Sequence, residues 1–236
     1  MKHLVWSSVF VLAVLPSLVR ADETNKWTCD VSLYGFAAGM TGDVTVKGIP
    51  ADLNVGFDEV WKNLEFSLMG KVRVGHGRWA LTVDVIDMEL GASKNGVRGE
   101  FEQWMIEPTV SYRLCRNFEV LTGIRYSNLS GGITGPFGYS PSGTQDWWDP
   151  IVGGNFSQPL GRNFSFNLRG DIGGFGVGSE LTWQLLPSLS WQFADRGSLQ
   201  AGYRWVYADY ESGSGPNLFK YDMLNQGFQV GLTFHF

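Results

Sequence analysis

The sequence is poor in the residue types that carry most metal and nucleophilic chemistry. Its 236 residues include only two cysteines and three histidines, and charged residues make up 17%. No group of His, Cys, Asp or Glu has the spacing of a metal site, and no segment has the pattern of a calcium loop. A net charge of -5 without a basic stripe argues against nucleic-acid binding. The sequence therefore predicts no metal, no cofactor and no nucleic-acid partner.

Long apolar runs are also missing, with one exception at the start of the chain. Leu4 to Leu15 is apolar, follows a charged start and precedes the small-residue pattern Val19-Arg20-Ala21. This arrangement is typical of a secretory signal peptide, here residues 1–21. About a dozen residues are too few for a transmembrane helix, which needs roughly 20. We therefore expect residues 22–236 to form a single exported domain.

What the chain has instead is alternation, most clearly from Leu224 to Phe236. One face carries Leu224, Phe228, Val230, Leu232, Phe234 and Phe236, and the other carries Asn225, Gly227, Gln229, Gly231, Thr233 and His235. Gln226 is the only break. The pattern resembles the closing strand of a bacterial outer-membrane β-barrel. That resemblance implies that the terminal Phe236 is the signal for assembly.

Similar alternation recurs along the chain and predicts a series of strands. The predicted strands cover 28–40, 64–74, 79–90, 101–114, 118–129, 148–160, 164–176, 180–193, 199–207 and 224–236. Short turns such as Gly161-Arg162-Asn163 alternate with longer segments rich in Gly, Ser and Pro, at 91–99, 130–145 and 212–220. Short turns are typical of the periplasmic side of outer-membrane barrels. The sequence therefore predicts an all-β fold, a transmembrane antiparallel up-and-down β-barrel of about ten strands, with about eight or twelve as alternatives.

The segment 42–63 permits more than one interpretation. It could form an extra hairpin around Gly48-Ile49-Pro50. After it, Phe57, Val60, Trp61 and Leu64 have the spacing of a short amphipathic helix. Such a helix could cap the barrel mouth or simply pack on its rim.

Several short motifs resemble a known group of proteins. They are Tyr34-Gly35-Phe36, Thr41-Gly42-Asp43-Val44-Thr45-Val46, Phe57-Asp58-Glu59-Val60, Gly77-Arg78-Trp79-Ala80-Leu81-Thr82-Val83-Asp84, Thr122-Gly123-Ile124-Arg125-Tyr126, Trp148-Asp149-Pro150 and Asp171-Ile172-Gly173-Gly174-Phe175-Gly176. Together they are similar to a widespread family of uncharacterised Gram-negative outer-membrane β-barrel proteins. The resemblance implies a barrel in the outer membrane of a Gram-negative bacterium, and it carries no catalytic residues.

The positions that should face the lumen carry nearly balanced charges. We expect these to pair in a lumen charge network of Glu65, Lys71, Arg73, Asp84, Glu107, Arg113, Glu119, Arg125, Asp149, Arg169, Asp171 and Arg204. Side chains largely fill the interior of a barrel of about ten strands, so the lumen should be mostly occluded. A narrow solute path is the alternative, because several glycines could thin the wall.

The two cysteines, Cys29 and Cys115, lie near the ends of strands on the predicted periplasmic side. Export would place both in an oxidising compartment. They could form a disulfide or remain separate thiols, because a sequence does not give the distance between their Cα atoms.

The histidines give little support to catalysis. His3 leaves with the signal peptide, His76 lies in a periplasmic turn, and His235 is one residue from the C-terminus. Asp146 and Asp149 are the best carboxylate pair, although their position beside two tryptophans fits an aromatic girdle. We expect no enzyme, but a barrel of structural or surface-interaction type; a small pore is the alternative, and an outer-membrane hydrolase a weaker one. Its expected partners are outer-membrane lipid and the barrel-assembly machinery, and the sequence identifies no ligand.

Overall fold

A computed structural model describes residues 26–55, 69–94, 97–134 and 142–236. The expected signal peptide (1–21), the segment Phe57–Leu64 and the expected lumen acid Glu65 lie outside these residues. The described ranges hold no helix with the length and apolar character needed to cross a membrane. They do hold a single short 3-10 turn, at Gly215–Asn217.

The described residues form eleven antiparallel strands. In order they are β1 (Trp27–Val46), β2 (Ile49–Val55), β3 (Met69–His76), β4 (Trp79–Lys94), β5 (Val97–Cys115), β6 (Phe118–Thr134), β7 (Ser142–Pro159), β8 (Phe164–Gly174), β9 (Leu181–Ala194), β10 (Gly197–Ser212) and β11 (Phe219–His235). Each strand pairs with its sequence neighbour, except that β3 follows β2 along the same edge of β1. The wall therefore has about ten strand positions.

The barrel closes where β11 pairs with β1. The register runs from Asp30 opposite His235 to Thr45 opposite Lys220. Closure satisfies the edge groups of both strands, which is the condition for a sheet to stand in lipid. The prediction of a closed antiparallel barrel is confirmed.

The two ends of the barrel differ. Short turns lie at one end, which we call the turn end, and both Trp27 and Phe236 lie there; the opposite end is the loop end. At the loop end the strands extend beyond their predicted limits: β4 and β5 reach Lys94 and Val97, where a loop over 91–99 was expected. Residues 42–55 of the uncertain segment form a hairpin with β1 as its first arm and β2 as its second. Its turn at Lys47 and Gly48 has positive φ at both residues.

The outer face carries an apolar belt between two sets of aromatic residues. The belt includes Leu33, Val72, Leu81, Val83, Val110, Ile124, Val152, Ile172, Leu185, Leu189, Val230 and Leu232, all exposed. On β5, outward-facing Tyr112 and Trp104 mark its two edges. They are about eight residues apart, roughly 27 Å along the strand. A strand tilt of about 35–45° shortens this to about 20 Å, close to the band of about 25 Å in outer-membrane barrels.

The lumen has three layers. The loop-end layer is an apolar core that includes Phe36, Met40, Met69, Ile86, Met88, Met105, Leu129, Trp147, Tyr221 and Met223. Buried charged side chains fill the middle. At the turn end, polar side chains line a cavity of about 660 Å³, which we call the turn-end cavity.

Candidate functional site

A buried set of ion pairs crosses the lumen at mid-height. Its members are Asp84 on β4, Glu107 on β5, Arg125 on β6, Arg169 and Asp171 on β8, and Arg204 on β10, and we call them the central network. The arginines and carboxylates are equal in number, so their formal charges cancel. Burying an ion is costly unless it is paired and hydrogen-bonded. A neutral, fully paired set is therefore what a filled lumen requires.

Arg125 is bonded through each of its three guanidinium nitrogens. Nε donates to Glu107 Oε1 at 2.7 Å, and Nη2 donates to Asp171 Oδ1 at 2.7 Å. Nη1 donates to Thr182 Oγ1 at 2.8 Å. The side chain is 1% exposed. One arginine thus joins β5, β6, β8 and β9 across the interior.

Glu107 is the carboxylate that contacts all three arginines. Besides Arg125, it accepts from Arg169 Nη2 at 2.7 Å, and Arg204 Nη2 lies 3.7 Å from Oε2. Glu107 is 0% exposed. Loss of this one negative charge would leave an excess of buried positive charge.

Arg204 carries the network to the strand that closes the barrel. Its Nε and Nη2 donate to Gln184 Oε1 at 2.9 and 2.6 Å, and Nη2 donates to Asp84 Oδ2 at 3.3 Å. Nη1 donates to the Tyr34 hydroxyl at 3.2 Å, and that hydroxyl donates to Asp84. Tyr34 lies on β1, so the network reaches from β4 through β10 to the closing seam.

A second, more exposed cluster lies nearer the turn end. Arg73 Nη2 donates to both oxygens of Glu119, at 2.8 and 3.0 Å, and Arg113 donates to Glu119 Oε1 at 3.3 Å. Two cations therefore share one carboxylate. This cluster belongs to the predicted charge set but is separate from the central network.

The structure corrects the expectation that Asp149 joins the lumen charge network, and it also separates Asp149 from the candidate Asp146. Asp149 accepts from the backbone N–H of Ser179 at 2.6 Å, from its hydroxyl at 2.7 Å, and from Trp147 Nε1 at 3.1 Å. It fixes the turn after β8 instead of joining the arginines. Asp146 and Asp149 do not form a catalytic pair, because Asp146 is exposed whereas Asp149 is 0% exposed. The alternation of strand β7 directs them to opposite faces.

The turn-end cavity contains a hydrogen-bond chain that the sequence analysis missed. Asp30 Oδ1 lies 2.7 Å from His235 Nδ1, and His235 Nε2 lies 3.0 Å from Ser198 Oγ. All three side chains line the cavity, as does Lys71. In the sequence, His235 stands one residue from the C-terminus and 205 residues from Asp30. The signal available was barrel closure, which must bring the last strand beside the first.

The two cysteines are free thiols, not a disulfide. Cys29 lies on β1 and Cys115 ends β5, with β3 and β4 between those strands. Three strand spacings amount to about 14 Å. A disulfide needs Cα atoms within about 7 Å, so the wall itself keeps the two apart.

No protein-family model and no curated protein sequence matches the chain. Among solved structures, the fold is similar to the outer membrane protease OmpT from Escherichia coli, with a TM-score of 0.52, 8% identity, and coverage of 90% of this chain and 98% of that one. Ail, the attachment invasion locus protein of Yersinia pestis, gives a TM-score of 0.46, 12% identity, and coverage of 89% and 99%. A FadL homologue of Pseudomonas aeruginosa gives a TM-score of 0.35 and 9% identity, with coverage of 88% of this chain and 89% of that one. At these identities the similarity concerns the fold alone, which is that of outer-membrane β-barrels.

Proposed function

We propose that the protein is an outer-membrane β-barrel of structural or surface-interaction type in a Gram-negative bacterium, with a lumen closed to solutes. The apolar belt with its aromatic edges supports contact with lipid. The resemblance of its motifs to the uncharacterised outer-membrane family supports the same location. The turn end then faces the periplasm and the loop end the outside. A structural or surface-interaction role requires no catalytic residues in the central network or at the loop end.

The observation that carries the proposal is the central network. Its side chains bond to one another across the whole width of the lumen, and Glu107 and Arg204 are 0% exposed. An ion crossing the lumen would have to break several charge-assisted bonds of 2.7 Å at once. We therefore expect a barrel that stands in the membrane without conducting.

Single-channel recording of the refolded protein in planar bilayers tests this closure. The wild-type barrel should be electrically silent, whereas steady ion conductance would favour the small pore and overturn the proposal. Arg125→Ala combined with Arg204→Ala removes two large side chains from the centre but leaves the loop-end core in place, so this variant should also stay silent if the core by itself blocks ions. Heat-shifted mobility on SDS gels must show that both proteins are folded before either recording is interpreted.

The last residue supports the proposed assembly role of the C-terminus. Phe236 continues the closing ladder, since its N–H donates to Cys29 O at 2.9 Å and its carbonyl accepts from Cys29 N at 3.1 Å. Its side chain is 71% exposed. The ring therefore adds little to packing and is available to the assembly machinery that we propose as a partner.

A further inference from the structure

Three side chains at the closing seam form a chain of hydrogen bonds with the geometry of a hydrolytic triad. Asp30 on β1 is the register partner of His235 on β11, and Ser198 lies on β10, the next strand. The contacts are 2.7 Å from Asp30 Oδ1 to His235 Nδ1 and 3.0 Å from His235 Nε2 to Ser198 Oγ. With the imidazole proton on Nδ1, His235 donates to Asp30 and accepts from Ser198. This is the order of carboxylate, base and nucleophile that acyl transfer needs.

The three residues face a space that can hold a substrate. The turn-end cavity of about 660 Å³ is within the range of small-molecule sites, roughly 300–1,000 Å³. Ser198 is 7% exposed and sits in its wall, whereas the side chain of His235 is 36% exposed. Asn117 and Arg162, which lie in turns, also border the cavity, so it opens toward the turn end.

We propose that Ser198, His235 and Asp30 hydrolyse an ester of a small carboxylic acid in the turn-end cavity. This activity goes beyond the proposed structural role and does not depend on it. Ser198 Oγ forms a bond to the ester carbonyl carbon while its proton passes to His235 Nε2. The carbon–oxygen bond to the alcohol then breaks, and His235 returns the proton to the departing alkoxide. Water adds to the acyl-serine, giving its proton to His235, and the free acid leaves as Ser198 recovers a proton.

Each of the three residues has a separate role. Ser198 and His235 are the catalytic residues, because they touch the reacting atoms. Asp30 is a positioning residue that fixes the imidazole through Nδ1. The amides of Gln192, which is opposite Ser198 in the ladder, and of Gln200 line the same cavity. Gln200 Nε2 already donates to Ser188 Oγ at 2.7 Å and Gln192 Nε2 to Asp195 O at 3.4 Å, so the second N–H of each amide is the one that could serve the oxyanion of the tetrahedral intermediate.

The charges around the cavity indicate the class of ester. The cavity lining carries six cations, Lys71, Arg73, Arg113, Arg116, Arg162 and Arg169, against three carboxylates, Asp30, Asp84 and Glu119. Glu119 is already shared by Arg73 and Arg113. An acyl group that carries a second carboxylate would complement this excess of positive charge. A monoester of a dicarboxylic acid therefore fits better than a neutral acyl ester.

The same hydrogen bonds could serve a structural role alone, by holding β10, β11 and β1 together at the seam. One experiment separates this structural role from catalysis. The refolded full chain is treated with a fluorophosphonate probe, and the labelled residue is identified by mass spectrometry. A catalytic triad predicts label on Ser198, whereas a purely structural clamp leaves that hydroxyl unreactive. Absence of label on Ser198, together with no ester hydrolysis above buffer, would overturn the proposal.

Hydrolysis of p-nitrophenyl hydrogen succinate and of p-nitrophenyl acetate gives the second readout. The free carboxylate of the succinate ester attacks its own carbonyl in buffer, so the rate in buffer is subtracted for each ester. The remaining rate should be higher for the succinate ester, and Ser198→Ala should reduce it at least about 100-fold. Ser32→Ala is the matched control: Ser32 is also buried and faces inward at this seam, but it bonds to the Thr233 hydroxyl at 2.8 Å and does not line the cavity. Equal rates for Ser198→Ala and wild type would contradict the mechanism.

Substitutions of Asp30 separate a positioning role in catalysis from a purely structural role at the seam. Asp30→Asn should slow hydrolysis, whereas Asp30→Glu should restore part of the rate because it returns a carboxylate to His235. Heat-shifted mobility must show that both variants fold equally well. If the two folded variants hydrolyse the succinate ester at the same rate, Asp30 has no positioning role and the triad assignment fails.

Discussion

Replacement of Glu107 by Gln should destabilise the barrel more than any other single charge removal of comparable size. The change keeps the volume but removes the carboxylate that contacts Arg125, Arg169 and Arg204. The side-chain carbonyl of the glutamine can still accept a hydrogen bond from one arginine. Its NH2 group, however, is a donor and would face arginine nitrogens that are also donors. Removing one partner of a buried ion pair costs about 3–5 kcal/mol of folding free energy. We expect a loss in that range.

The free energy of unfolding is best measured by guanidinium titration in lipid vesicles, with tryptophan fluorescence as the signal. Glu119→Gln is the matched control, because Glu119 also bonds to two arginines but lies nearer the open turn end, with its side chain 15% exposed. Solvent-screened pairs contribute at most about 1 kcal/mol. The control should therefore lose much less stability than Glu107→Gln at an unchanged denaturant slope.

A loss below about 1 kcal/mol for Glu107→Gln, or one no larger than for Glu119→Gln, would refute the view that the centre is dry and tightly paired. Water at mid-height would then be screening the charges. Adding Arg125→Met to Glu107→Gln gives an internal check. Removal of both partners should recover part of the lost stability, because no unpaired charge remains at that contact.

Three further outcomes are expected. Deletion of Phe236 should lower the amount of protein in the outer membrane in cells while leaving heat-shifted mobility in detergent unchanged; normal outer-membrane levels would contradict its role in assembly. Cys29 and Cys115 should both react with maleimide in denaturant without a reductant, since they are free, and loss of this reaction would reveal a disulfide. Gly227→Ala should reduce the folded fraction, because a Cβ there would meet the backbone of β1, whereas Gly143→Ala has open space and should fold normally.

The strands of the barrel wall could be predicted from the sequence, because one face of each spanning strand meets lipid and the other meets the lumen. This imposes a period of two on the side chains. Val83 and Asp84 alternate between the two sides as expected, and so do Ile172 and Asp171. The same rule fails beyond the belt. Ser130 pairs with Thr144 in a segment that was expected to be a loop, because backbone hydrogen bonds continue there without an apolar face to mark them.

The lumen was less predictable, because a sequence shows which charges face inward but not which of them meet. Arg125 and Asp171 are 46 residues apart in the chain yet bonded at 2.7 Å. Their contact depends on how the strands are ordered around the barrel and how far each is shifted along its axis. The same geometry brings His235 to Asp30 across 205 residues. Counting histidines along the chain therefore could not reveal the chain of bonds to Ser198.

The layered lumen explains why we expect neither ions nor apolar molecules to pass. An ion that entered from the turn end would meet the central network, where every charge already has a partner, and then the loop-end core. Met40, Met88, Met105 and Met223 in that core are all at most 3% exposed and offer no polar ligand to an ion. An apolar molecule entering from the loop end could be solvated by those side chains, but it would have to displace paired charges to go further, which is costly. Two adjacent layers of opposite chemistry therefore reject opposite classes of solute, which is a stronger barrier than either layer alone.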